Sequence, residues 1–369
     1  MGSTSSVSWL SCMGILRFGC VTRLCDPQAY AATPRSTSRS AISPRKHPSQ
    51  ARRIADRVVV MRSTRRGLLA LAAGLPAAVL AACSPSPIVT GGPSAPFSPT
   101  PTGPVQSPGA ARAADWTTRL RALVGTAPAQ DADWAAAVTA QADAHLVRLD
   151  AADPLVPDAE PVFTPSPAPA PTTAPFEDAL AALLAEGADL FGELVTDAQS
   201  QPERLLHASL AAAAAGLRNR ALAPVPGEGT PIRFPETSLD GSLLVALSHV
   251  WALLHGLEVG LGRLPEGDVH DAARRRLAEA REQRNHLRAA VDGDSPEQEV
   301  AYEMPNPMTT PEEITDALAV LEQGLLDALA RLVATGTEGT DWLQEMLQQV
   351  PQVQAWGGRL PHWPGWAQV

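Results

Sequence analysis

Ile314, Leu318, Leu321, Leu325, Leu329 and Leu332 recur at intervals of three and four residues. That spacing lines one face of an α-helix and cannot line one face of a strand. The stripe covers about 22 residues, or roughly 33 Å of helix, and a face that long has to be buried against something. The preceding residues mark where the helix starts. Thr310 stands as cap, Pro311 takes the first helical position, and Glu313 follows three residues after the cap. Leu239–Leu261 and Asp268–Val291 carry the same texture, and Asp341–Val350 a shorter version of it.

Helical texture also runs upstream. Trp116, Leu120 and Leu123 mark a first helix from about Ala113, which breaks at Thr126-Ala127-Pro128. Trp134, Val138, Leu146 and Leu149 mark a second over Ala132–Asp150, and two more are expected over Phe176–Ala198 and Pro202–Leu222. "TPSPAPAPTTAP" (Thr164–Pro175) and "PVPGEGTPIRFPE" (Pro224–Glu236) separate these blocks as loops. No alternation of period two persists anywhere, so the expected fold class is all-α, built of bundles.

A different pattern governs the first third. "STRRGLLALAAGLPAAVLAACS" (Ser63–Ser84) opens on Arg65 and Arg66, continues through 16 uncharged residues from Gly67 to Ala82, and reaches Cys83 through Leu80-Ala81-Ala82. Sixteen residues fall short of the roughly 20 that cross a bilayer core, and basic head, apolar run and small residues in that order describe an export signal. The last four positions resemble a lipobox, whose cysteine sulfur receives the lipid. Thr64-Arg65-Arg66-Gly67-Leu68-Leu69 also resembles a twin-arginine signal. Residues 1–60 are rich in Ser and Arg and almost free of acid, and Met61 directly precedes the signal. They are therefore expected to be an extension from a start assigned too far upstream. The organisation expected is extension 1–60, signal 61–83, a Pro/Ser/Thr-rich tether 84–111, a helical region 112–222 with a Pro-rich insert 154–175, and a C-terminal domain 238–369. The tether cannot bury enough apolar surface to fold. It would reach about 30 Å as a coil and about 85 Å extended.

Charge then excludes one class of partner. From Cys83 onward there are 17 arginines, no lysine and 37 acidic residues, a net charge of −20. Such a chain does not bind nucleic acid by neutralising phosphates. The other three cysteines, Cys12, Cys20 and Cys25, fall in the extension, so no disulfide framework or cysteine-based metal site is available.

The connecting text of the last third is more specific than its helices. "YEMPNPMTTPEEITDALAVLEQGLLDALARLVATG" (Tyr302–Gly336) is followed by "WLQEML" and by "AWGGRLPHWPGW" (Ala355–Trp366). A Tyr-x-x-Pro-x-Pro loop before the third helix and a Trp-containing tail ending on Pro-Gly resemble the ferritin-like domain of actinobacterial lipoproteins known as domain of unknown function 4439. The resemblance covers about residues 238–369. It implies a ferritin-like four-helix bundle, preceded here by further helical hairpins and Pro-rich linkers expected to be disordered. The family carries a Glu-His pair on its first helix, and a His-Arg pair followed by Arg-Asp on its second. The matching positions here hold Val250 and Trp251, then Ala280-Arg281 and Arg284-Asn285. Arg281 and Arg284 agree, while the metal-ligating types are gone.

A di-iron bundle also needs Glu-x-x-His motifs facing inward, and this sequence contains none. His255 with Glu258, and Glu282 with His286, each share a helix face. The expected reading is two hydrogen-bonded surface pairs; the alternative is one mononuclear metal site where they converge. His249 lies about 240° around the helix from His255, so the two cannot share a metal. Glu203 and His207 are expected to be another surface pair, and Glu186, Asp189 and Glu193 a solvated acidic stripe. Arg274, Arg275, Arg276, Arg281, Arg284 and Arg288 are expected to pair with nearby carboxylates, the alternative being a dock for an acidic partner or a cell-wall phosphate. Trp342, Trp356, Trp363 and Trp366 are expected to plug the open end of the bundle.

The function expected from the sequence is that of an exported lipoprotein. It would be held through lipid on Cys83 to the outer face of the cytoplasmic membrane, with a non-catalytic binding or scaffolding role toward an unidentified envelope protein or glycan. The alternatives are a metal-dependent ferritin-like oxidase or metal store, using iron or manganese, and a cell-wall glycan-binding module. No resident cofactor and no catalytic residue is expected.

Overall fold

A computed structural model describes residues 103–164, 167, 174–293, 298–299, 301–336 and 339–366. The expected extension, the signal with Arg65, Arg66, Leu80, Ala81, Ala82 and Cys83, and most of the tether lie outside the described residues.

Eight α-helices and no strand occur among the described residues: α1 Pro108–Val124, α2 Ala132–Leu149, α3 Phe176–Asp197, α4 Gln201–Gly216, α5 Leu239–Leu261, α6 Asp268–Ala290, α7 Pro311–Thr335 and α8 Gly339–Ala355. Their starts are written locally. Ser107, Ser200, Ser238 and Thr310 each accept a hydrogen bond from a backbone N–H in the first turn of the helix that follows. Glu313 reaches back to the N–H and hydroxyl of Thr309, one residue earlier than a capping box requires. The all-α expectation holds, and five expected helices end within about two residues of the observed ones. Three do not: α1 starts five residues before Ala113, at Pro108; α4 stops at Gly216 rather than Leu222; and α8 runs through Pro351 to Ala355.

Helix directions in the last third follow from contacts. His249 lies against Gly324, Gly256 against Leu321 and Gly260 against Ile314, so α5 and α7 are antiparallel. The Glu322–Gln349 and Ala319–Gly358 approaches make α8 antiparallel to α7, and the Glu279–Gln352 and His286–Glu345 contacts make α6 antiparallel to α8, and so to α5. The chain therefore runs up, down, down and up. The connection from α6 to α7 must therefore cross the full length, and its described residues 302–308 lie along α5. Tyr302 stands against His255, Met304 beside Gly256, and Arg263 donates to the carbonyls of Pro307 and Met308.

The earlier helices do not stand apart. α1 and α2 form a hairpin, α3 packs on α1 and α4, and α4 packs on both α7 and α8. Trp116 locks α1 to α3. Its indole N–H donates to the Leu183 carbonyl at 3.0 Å, its ring meets Phe191 at 5.0 Å, and Gly187 leaves the space it fills. α4 is buried almost all round, including Ala211, Ala212, Ala213 and Ala214. This corrects the expectation for His207, which is 3% exposed with Nδ1 on the Leu194 carbonyl. Residues 112–222 and 238–369 thus share one continuous core.

α5 is the one described helix long and apolar enough to cross a membrane, and 56% of its most apolar window is buried.

Candidate functional site

α5, α6, α7 and α8 meet in three close-packed interfaces, α5 with α6, α5 with α7, and α7 with α8. The fourth, between α6 and α8, stays open as a cleft of about 570 Å³ lined by Glu279, Glu282, Gln283, His286, Glu345 and Gln352, among others. At its edge lies the most deeply buried charge of the assembly. Glu322 on α7 has 0% exposure and Arg276 on α6 has 5%. Arg276 Nε donates to Glu322 Oε1 at 2.7 Å, and Nη2 donates to Oε2 at 2.9 Å. Gln349 from α8 completes the cluster, accepting from Arg276 Nη2 at 3.2 Å and donating to the Glu322 carbonyl at 3.1 Å. Every buried polar atom of the pair has a partner, as a buried ion pair requires.

Glu322 falls where the stripe Leu318–Leu325 expects an apolar residue. That misfit is the sequence signal for the site. The six arginines divide accordingly: Arg276 turns inward, Arg281 pairs with Glu258 at 3.1 Å, and Arg284 donates to Asn285 on its own helix.

The four weak metal candidates do not come together. His255 lies against Tyr302 with ring centroids 5.9 Å apart, and Glu258 is held by Arg281. Glu282 and His286 face the α6–α8 cleft instead. His286 pairs with Glu345 and stacks on Trp342, rings 5.2 Å apart and 25° from parallel. Burial raises the Glu345 pKa while His286 opposes the rise. No three metal-ligating side chains gather among the described residues. Glu186, Asp189 and Glu193 are exposed, as expected of a solvated stripe, and Glu186 and Glu193 also pair with Arg119 and Arg112 of α1.

The tryptophan-rich tail corrects another expectation. It does not plug the bundle end; residues 357–366 lie between the two halves of the molecule. Val225 N–H donates to the Leu360 carbonyl at 2.9 Å, and His145 of α2 donates through Nε2 to the His362 carbonyl at 2.7 Å. Trp363 packs on His145 at 4.3 Å, and Trp366 on Phe234 at 6.0 Å. Burial pulls the His145 pKa down to about 4. Asp327 of α7 accepts from Gly365 N–H at 3.0 Å and from Gln323 Nε2 at 2.9 Å, and burial lifts its pKa to about 6. A cavity of about 410 Å³ adjoins Asp327, Trp363 and Trp366. Both tryptophans are only 4% exposed, so neither offers an open ring face to a sugar.

Comparison with protein-family models, with characterised proteins and with solved structures gives no match.

Proposed function

We propose that this chain is an exported lipoprotein that presents a ferritin-like helical scaffold at the outer face of the cytoplasmic membrane and acts by binding rather than by catalysis. Three lines support the reading. The signal Ser63–Cys83 ends in a lipobox-like Leu80-Ala81-Ala82-Cys83. The up-down-down-up helix order with one long crossover is the connectivity of ferritin-like folds. The Tyr302–Pro307 loop that makes this crossover is the segment carrying the family resemblance.

The observation that carries the non-catalytic part is the Arg276–Glu322–Gln349 cluster. A di-metal centre needs several inward carboxylates and imidazoles around two cations. Here Glu322, fully buried, is held in a two-bond clamp by a guanidinium, a fixed cation that would repel a metal. The positions that match the family's Glu-His pair and second-helix His hold Val250, Trp251 and Ala280, all buried and apolar. The donor set does not fit iron or manganese, and no reaction is derived through either.

Metal analysis tests this. The chain from Ser84 to Val369, purified from cells grown with added iron and manganese, is expected to carry neither in stoichiometric amount. About two bound ions per chain, the content of a working di-metal site, would overturn the reading in favour of an oxidase or metal store.

A further inference from the structure

We infer that the outer face of the α5–α6 hairpin is a docking surface for an anionic lipid bilayer and sets how the anchored domain sits on its membrane. Arg274, Arg281 and Arg288 recur every seven residues along α6, and all three are exposed. On a helix of 3.6 residues per turn they form a strip spanning about 21 Å, and Arg284 extends it to about 80° of the helix surface. The strip faces solvent beside α5, as the Arg281–Glu258 pair shows.

The carboxylates of α6 keep to another side, which Arg275 shares. Asp271, Glu279 and Glu282 lie between about 80° and 160° away from Arg281, on the side of the α8 cleft. Glu258 of α5 pairs with the strip at Arg281, and it is 54% exposed. Further along α5, about 40° around the helix from Glu258, Leu244 stands 41% exposed. A strip of arginines with an exposed leucine on the neighbouring helix suits a headgroup layer, where guanidinium groups meet phosphates and an aliphatic side chain reaches toward the acyl boundary.

Charge selects the orientation. From Cys83 onward the chain carries a net charge of −20, so an anionic surface repels the molecule as a whole and favours the orientation that turns this arginine face toward it. A lipid on Cys83 would hold the fold within tether reach of the headgroups, which turns a weak interaction into an intramolecular one. The inference rests on that anchored reading for its setting, but its test does not use the lipid.

The chain from Ser84 to Val369 carries every described helix and lacks the acylated cysteine. It is mixed at low salt with vesicles of phosphatidylcholine, and with vesicles of phosphatidylcholine and phosphatidylglycerol in equal parts. Binding to the anionic vesicles alone is expected, with loss at high salt. The variant R274Q/R281Q/R288Q should bind more weakly by about fivefold per arginine, roughly a hundredfold in all. The control R112Q/R121Q removes the same kind of charge from α1 and should bind as the unaltered chain does; circular dichroism confirms that both variants keep their helices. Absence of binding to anionic vesicles overturns the inference. So does a triple variant that binds undiminished, or binding to soluble poly(glycerol phosphate) without binding to vesicles. Failure of the anchor shows separately, as absence of lipid mass on Cys83.

Discussion

Arg276 and Glu322 face each other across the α6–α7 interior through two hydrogen bonds of 2.7 and 2.9 Å, although the residues are 46 positions apart in sequence. Removing one member leaves the other charge buried without a partner. Glu322→Ala is therefore expected to cost about 3–5 kcal/mol. The adjacent cleft lets the freed guanidinium reach water, which places the loss near the lower figure. Replacing the whole cluster by R276M/E322L/Q349L should return stability to within about 1 kcal/mol of the starting chain, because an apolar core removes the desolvation cost of both charges. Urea midpoints of the two variants check this. A triple variant no more stable than Glu322→Ala would contradict it.

Gly229 fits only as glycine. A Cβ there would lie 1.2 Å from the Trp366 carbonyl oxygen, with backbone rather than a flexible side chain in the way. Gly229→Ala should displace the tail, shift tryptophan emission to the red and cost about 2 kcal/mol or more. Gly192, inside α3, has nothing within 4 Å of its own Cβ direction. Gly192→Ala should stabilise by about 0.5–1 kcal/mol through helix propensity. Opposite signs for the same chemical change would separate packing from propensity.

Two buried groups of the tail region pull stability in opposite directions as pH changes. The folded pKa of Asp327 is raised to about 6, so the folded state binds this proton more tightly, and stability is lost as pH rises from about 4 to 6. The folded pKa of His145 is lowered to about 4, so the unfolded state binds that proton more tightly, and stability is lost as pH falls from about 6.5 to 4. His207, also lowered by burial, acts with His145. The contributions offset each other over the shared window. Asp327→Asn keeps an acceptor for Gly365 and removes the opposing one. It should be more stable than the unaltered chain at pH 7, by about 1–3 kcal/mol, and lose more on acidification to pH 4.5. Thermal midpoints across that range would refute the assignment if the two curves ran parallel.

Local chemistry made much of this fold legible. Ser238 and Gly262 bracket α5, and the Thr310-Pro311 start of α7 is as readable in the text as in the structure. α8 outran its expected end because Pro351 reads as a stop, while Val353 continues the buried face of Val350 beyond it. The four-residue spacing from Glu203 suggests a surface position for His207, but the alanine run and scant polar face of its helix signal burial on all sides. Glu322 was equally visible as a charge interrupting an apolar stripe. Its partner was not: local spacing does not say that Arg276, among six arginines, turns inward, since that depends on how two helices pack. The tail was least legible, because the His145–His362 contact joins positions 217 residues apart.

The membrane anchor is the claim from which the rest of the account takes its setting, and intact-mass analysis of the chain from a membrane fraction tests it most directly. The account predicts a polypeptide that begins at Cys83 and carries additional acyl mass. A chain that retains Met61 to Ala82 and carries no lipid would contradict it.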